Sequence, residues 1–254
     1  MAGVPDARGR MRPWWGMGDI LLSLPVIFGL ALLGFMIALP FVDFGDLAGE
    51  LVTPTAAIVF SLYGQQLAQG GWPVLVSKWK GLGVAADWRL RAFRPVDLAI
   101  GLGTAIIALG AAGLAGALVS RLVGLTDPAA ADNTQILTDA DGTIWQALIV
   151  LAVVVGAPIS EELFFRGLCL RSIEKRAGTV AGVIGSTVLF TLPHFLGAGW
   201  AATAVLFASI GAVGLVLAVV TVTVDRLLPA IIAHMLFNLI GALGALGTFD
   251  RFAP

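Results

Sequence analysis

The sequence predicts an all-α fold: a multi-pass transmembrane helix bundle of about seven spans, with an eighth admissible, built around a polar site inside the membrane. Three observations lead there. Of the 254 residues, 58% are hydrophobic and only 12% are charged, against roughly a quarter charged in soluble domains. With a mean hydropathy of +0.96, such a chain cannot cover its apolar surface with polar groups, so its solvent is largely lipid. Apolar runs near the ~20 residues that cross a bilayer recur along the chain, and the few ionisable residues inside them concentrate in the last four.

Span length places the helices at 19–42, 50–70, 96–123, 144–171, 178–197, 200–224 and 228–247. The first follows a basic stretch (Arg8, Arg10, Arg12). It is too long for a signal-peptide core and has no clear cleavage site, so it reads as a retained span. The second is the weakest, because Gln65, Gln66 and Gln69 make its end polar. In the third, Gly110, Gly113 and Gly116 suit close helix packing and need no cofactor. The fourth runs IWQALIVLAVVVGAPIS into EELFFRG, and the fifth meets Pro193 near its end. The sixth and seventh are almost uninterrupted.

The connections agree with this division. All seven tryptophans fall near span ends, as an aromatic belt requires. Arg8, Arg10 and Arg12, then Lys78, Lys80, Arg89, Arg91 and Arg94, then Arg171, Lys175 and Arg176 come two spans apart, on one side. The intervening loops are acidic: Asp43, Asp46 and Glu50, then Asp127, Asp132, Asp139 and Asp141. The positive-inside rule puts the N-terminus in the cytoplasm, with the cell membrane as the expected location. The basic, aromatic segment 77–95 reads as resting on anionic lipid headgroups. The loop 127–142 lacks EF-hand spacing and reads as a solvated outer loop.

Composition also excludes. A net charge of −1 gives no basic field for nucleic acid. Cys169 is the single cysteine; it excludes an internal disulfide and reads as a packing residue. No internal repeat and no long linker divides residues 1–254, so one integral membrane domain is expected.

The polar residues inside the oil carry the functional reading. A charge at a helix centre costs roughly 2.5–3.5 kcal/mol on insertion scales, and those that remain face a partner or a hydrated cavity. The fourth span carries Glu161, Glu162 and Arg166, the fifth His194, the seventh His234 and Asn238; both histidines of the chain are here. Glu162 and Arg166 are four apart with the glutamate first, the favourable order for an ion pair. Glu161 points about 100° away around the helix, free to face something else. Phe190 and His194, and His234 and Asn238, are likewise four apart.

A carboxylate with imidazoles can hold and deprotonate a water, directly or through a divalent metal. An imidazole and an amide on a facing helix can donate to a developing oxyanion. No serine or cysteine has a nucleophile context and no phosphate-binding loop is present. Hydrolysis by activated water fits these parts, while a Glu–Arg pair alone would fit a packing bridge. The alternative is a transporter or immunity scaffold using the same cavity, against which stands the lack of paired halves.

These residues also resemble a known family. EELFFR is similar to the EExxxR motif of the CAAX protease and bacteriocin-processing family (the CPBP or Abi group) of intramembrane proteases. FTLPH resembles its FxxxH motif and HMLFN its HxxxN motif, in the family's order on separate apolar segments. The resemblance covers residues 144–247. It implies a helical endopeptidase acting on membrane-associated protein or peptide substrates in contact with membrane lipid. Glu161 would then activate water with His194 assisting, His234 and Asn238 would face the same cavity, and Glu162 and Arg166 would brace the first motif. Phe190 belongs to the second motif. The family is conventionally termed metalloprotease, usually with zinc; Glu161, His194 and His234 would be the metal ligands, with a metal-independent glutamate mechanism left open.

One geometric demand follows. At about 1.5 Å per residue, His194 lies deeper than Glu161 and His234 in straight, upright helices. Pro193 predicts a short, tilted or broken fifth helix, with GAGW turning inside a hydrated cavity.

Overall fold

The computed structural model describes residues 4–5, 11–41, 55–126, 134–138, 140, 142–195 and 199–247. The acidic residues expected in the outer loops, together with Arg8, Arg10 and the Gly197–Ala198 pair, lie outside them.

Among the described residues, seven helical rods lie in the seven expected segments. They are α1 (Met17–Ala38), α2 (Thr55–Lys80), α4 (Pro95–Val123), α6 (Thr143–Ala177), α7 (Thr179–Thr191), α8 (Trp200–Val224) and α9 (Leu228–Ala245), with short helices α3 (Val84–Asp87) and α5 (Gln135–Thr138) between them. Apart from a two-residue ladder pairing Val4–Pro5 with Met11–Arg12, the described fold is helical. Among the described residues, five helices are long and apolar enough to cross a membrane: Met17–Phe41, Pro95–Val123, Thr143–Ala177, Trp200–Val224 and Leu228–Ala245. This is an integral membrane protein. α2 has the length but carries the glutamines, and the apolar helix Thr179–His194 is short, because Pro193 ends α7 in a single 3₁₀ turn over Leu192–His194.

Small residues set the packing, since apolar helices gain no hydrophobic sorting in lipid and rely on close approach. A Cβ on Gly34 would lie 2.2 Å from Phe60 O, and one on Gly64 would lie 2.2 Å from Leu30 O. Each helix thus presses its backbone against the other's glycine, and α1 and α2 form one unit. α4 packs on α8 and α9 through an alanine-rich seam of Ala105, Ala108 and Ala112 against Val213, Leu217, Ala230 and Ala233. Of the glycines expected to pack in α4, Gly116 abuts Ser209, whereas Gly110 and Gly113 face open space. Gly101, against Ile232, is the second close contact.

Basic residues from three separate stretches gather at one end of the bundle. Arg89, Arg91 and Arg171 all approach the carboxylate of Asp225. Lys80 pairs with the buried Asp19, Arg226 pairs with the fully buried Asp97, and Lys175 Nζ donates to Trp15 O at 2.7 Å. The expectation that segment 77–95 merely rests on lipid needs correction. Trp88 is fully buried, donates Nε1 to Pro73 O at 3.1 Å and packs against Trp15 with ring centroids 4.7 Å apart. Asp87 accepts from Ser77 Oγ at 2.6 Å and Leu82 N at 2.9 Å, folding the segment under the bundle. Two of the seven belt tryptophans are therefore core residues. Trp79 and Phe93 stay exposed.

Candidate active site

α6 departs from α-helical geometry twice, with π-helical hydrogen bonding over Ala152–Gly156 and Glu162–Cys169. Such segments widen the helix and loosen its internal bonding, and they concentrate at functional sites. In the first segment Ala157 N–H donates to Ala152 O, five residues back. The next donor in that pattern would be Pro158, which has no N–H, so Val153 O is left for another partner. Asn238 Nδ2 supplies it at 2.8 Å. Gln66 Nε2 reaches Ala152 O at 3.0 Å, and Tyr63 O–H donates to Leu148 O at 3.0 Å.

The second segment holds EELFFR. Glu162 and Arg166 are both fully buried and meet at 2.8 Å. The same Glu162 Oε1 lies 3.0 Å from His234 Nδ1. Arg166 continues to Gly214 O at 2.9 Å and lies 4.2 Å over the Phe190 ring. Gly214 is required there: a Cβ would stand 2.9 Å from Phe190 Cδ1.

Hydrogen bonding fixes the imidazoles. Glu162 is paired with a guanidinium and accepts, so His234 donates to it from Nδ1, and in the neutral ring Nε2 then carries the lone pair. That Nε2 faces Glu161 Oε2 at 3.8 Å. His194 Nδ1 lies 2.9 Å from the carbonyl of Phe190, which also only accepts, so His194 likewise turns Nε2 outward. Phe190 spaces the two rings, with centroids 5.3 Å from His194 and 5.6 Å from His234.

Glu161, Phe190, His194, His234 and Asn238 all line one cavity of about 530 Å³. The structure thus brings the three motifs to a common space, with Glu162 and Arg166 behind its wall. Sequence reasoning missed contributors from two stretches. Gln65 and Gln69 of α2 line the cavity; they had been read only as a weakness of the span. Thr134, Ile136 and Leu137 also line it. Their loop is therefore no plain solvated connection: Leu137 is buried and its carbonyl accepts from Gln146 Nε2 at 3.0 Å. The apolar pair inside a polar loop was the available signal.

Among the described residues no three His, Cys, Asp or Glu side chains gather closely enough to hold an ion. Glu161 and His234 approach each other, but among the described residues His194 does not join them in a three-ligand set.

Comparison with known proteins bears on the segment that carries all three motifs. Residues 143–240 match the family of type II CAAX prenyl endopeptidases, Rce1-like. Over this segment the chain is similar to that family. The match covers less than half of the chain. It spans α6 through most of α9 and leaves out α1, α2 and α4. No curated protein and no solved structure matches the chain.

Proposed function

We propose that this protein is an intramembrane endopeptidase that cleaves membrane-associated peptides by attack of a water activated at Glu161, with residues 144–247 as its catalytic core. The observation that carries this reading is the opposition of Glu161 Oε2 and His234 Nε2, 3.8 Å apart at a cavity wall, which with a neutral imidazole are two acceptors. Two facing acceptors favour a molecule that donates to both, and water does so.

Glu161 would take a proton from this water as its oxygen attacks the scissile carbonyl, and would return it to the leaving amine. His234 orients the water and receives hydrogen-bonding charge from the Arg166–Glu162 pair behind it. His194, with Nε2 toward the cavity, assists proton transfer. Asn238 has one N–H committed to Val153 O, leaving the second for the oxyanion. Substrates of the Rce1-like type, prenylated proteins ending in a CAAX tetrapeptide, are the class we propose. In the cell membrane, with a cytoplasmic N-terminus, the basic end of the bundle would face the compartment where such tails reside.

The test is cleavage of a prenylated CAAX peptide by the reconstituted protein, its Glu161→Gln variant, and both after chelator treatment. Loss of cleavage in the variant is expected; unchanged cleavage overturns the role of Glu161. Loss in chelator restored by zinc would assign a metal to the site.

A further inference from the structure

Two amides on α2 reach toward α6, and their surroundings differ. Gln66 donates to Ala152 O at 3.0 Å, and its Oε1 occupies the space a Cβ on Gly156 would need, 2.1 Å away. That is a docking contact. Gln69, nearly a turn further on, is 4% exposed and lines the cavity with Glu161, His194 and His234. Its Oε1 is buried without a hydrogen-bond partner among the described residues.

The crossing of the two helices places Gln69 beside the chemistry. A Cβ on Gly70 would lie 3.3 Å from Ser160 Cα, so Gly70 and Ser160 touch backbone to backbone. Gln69 and Glu161 are the immediate chain neighbours of that contact, and both enter the cavity wall.

A buried amide oxygen that no protein donor satisfies is unfavourable, and at the wall of a cavity it finds its donor in a ligand. An amide oxygen only accepts. The carbonyl to be attacked also accepts, so the complementary group is a peptide N–H. An extended peptide drawn into a membrane cavity brings N–H groups that no bulk water can satisfy. We propose that Gln69 accepts a hydrogen bond from a backbone N–H of the bound peptide beside the scissile bond, and so sets the register of the substrate over Glu161. This rests on the endopeptidase reading and names a binding residue outside the Rce1-like segment.

The experiment reads binding and cleavage separately. A fluorescein-labelled prenylated CAAX peptide is titrated into the Glu161→Gln protein with Gln69 intact and with Gln69→Leu. A parallel series replaces each backbone N–H near the scissile bond by an ester oxygen. Gln69→Leu is expected to weaken binding about tenfold, the scale of one hydrogen bond. One ester position should weaken binding similarly with Gln69 present and have no effect in Gln69→Leu. Thermal stability should hold in Gln69→Leu and fall in Gln66→Leu. Equal binding with Gln or Leu at 69, or an ester penalty that persists in Gln69→Leu, overturns the contact. Peptide binding that depends on Gln69 without any wild-type cleavage would instead defeat the endopeptidase reading and leave the contact standing. Absence of peptide binding overturns both.

Discussion

His234 turns one ring nitrogen to Glu162 Oε1 at 3.0 Å and the other to Glu161 Oε2 at 3.8 Å. The adjacent glutamates of one motif are therefore divided by a single imidazole: one accepts from its Nδ1 and the other faces its Nε2. Replacing His234 by Ala is expected to lower kcat by about 10²–10⁴-fold, the range for loss of a positioned acid–base group, with a much smaller change in KM. Kinetics on the reconstituted protein decide; a change confined to KM would assign His234 to substrate binding alone.

The Glu162–Arg166 pair is predicted to matter first for stability. Both side chains are fully buried, so removing one strands the other. Arg166→Met should destabilise by about 3–5 kcal/mol, while Glu162→Gln/Arg166→Met together should lose less than the sum of the single changes. Thermal unfolding of the detergent-solubilised protein measures this; strict additivity would mean that the two do not act as a pair.

Pro158 and Asn238 are predicted to be energetically coupled although they do not bond to each other. Pro158→Ala restores an N–H that can compete for Val153 O, so Asn238→Ala should cost about 1 kcal/mol less in that background than in the wild type. A double-mutant cycle on thermal stability tests it, and zero coupling would refute the account of the freed carbonyl.

In α1–α2 packing, Gly34→Ala should force the helices apart and cost about 1–3 kcal/mol. Gly110→Ala, whose added methyl meets open space, should leave stability unchanged or raised. Melting of the two variants side by side distinguishes them; equal effects would refute the close-packing role of Gly34.

Much of the candidate site was legible because chemistry and spacing coincide there. Charges are costly in lipid, so Glu161, Glu162, Arg166 and the two histidines stood out, and four-residue spacing separated the paired glutamate from the other. Pro193 announced the break that ends α7. The rest was hidden for physical reasons. A π-helical segment has the composition of any apolar helix, so AVVVG gave no sign of it. Glutamines read as polarity, and only their opposite surroundings distinguish Gln66 from Gln69. Trp15 and Trp88 looked like belt residues because an aromatic near a span end carries no mark of whether lipid or protein covers it. The seven helical segments were legible, but among the described residues only five are long and apolar enough to cross a membrane: α2 is too polar and α7 too short, so helix formation and lipid compatibility are separate properties.

The irregular turn at Ala152–Gly156 has a consequence for assembly. A regular helix satisfies its own backbone and offers neighbours only a greasy surface, which in a bilayer scarcely distinguishes one partner from another. By leaving Val153 O without a backbone donor and turning Ala152 O, already bonded to Ala157 N–H, toward α2, α6 acquires an address that α9 reads with Asn238 and α2 reads with Gln66. Helices distant in sequence can thereby recognise the one beside which they belong, and the residues that recognise it sit within a turn of those that line the cavity.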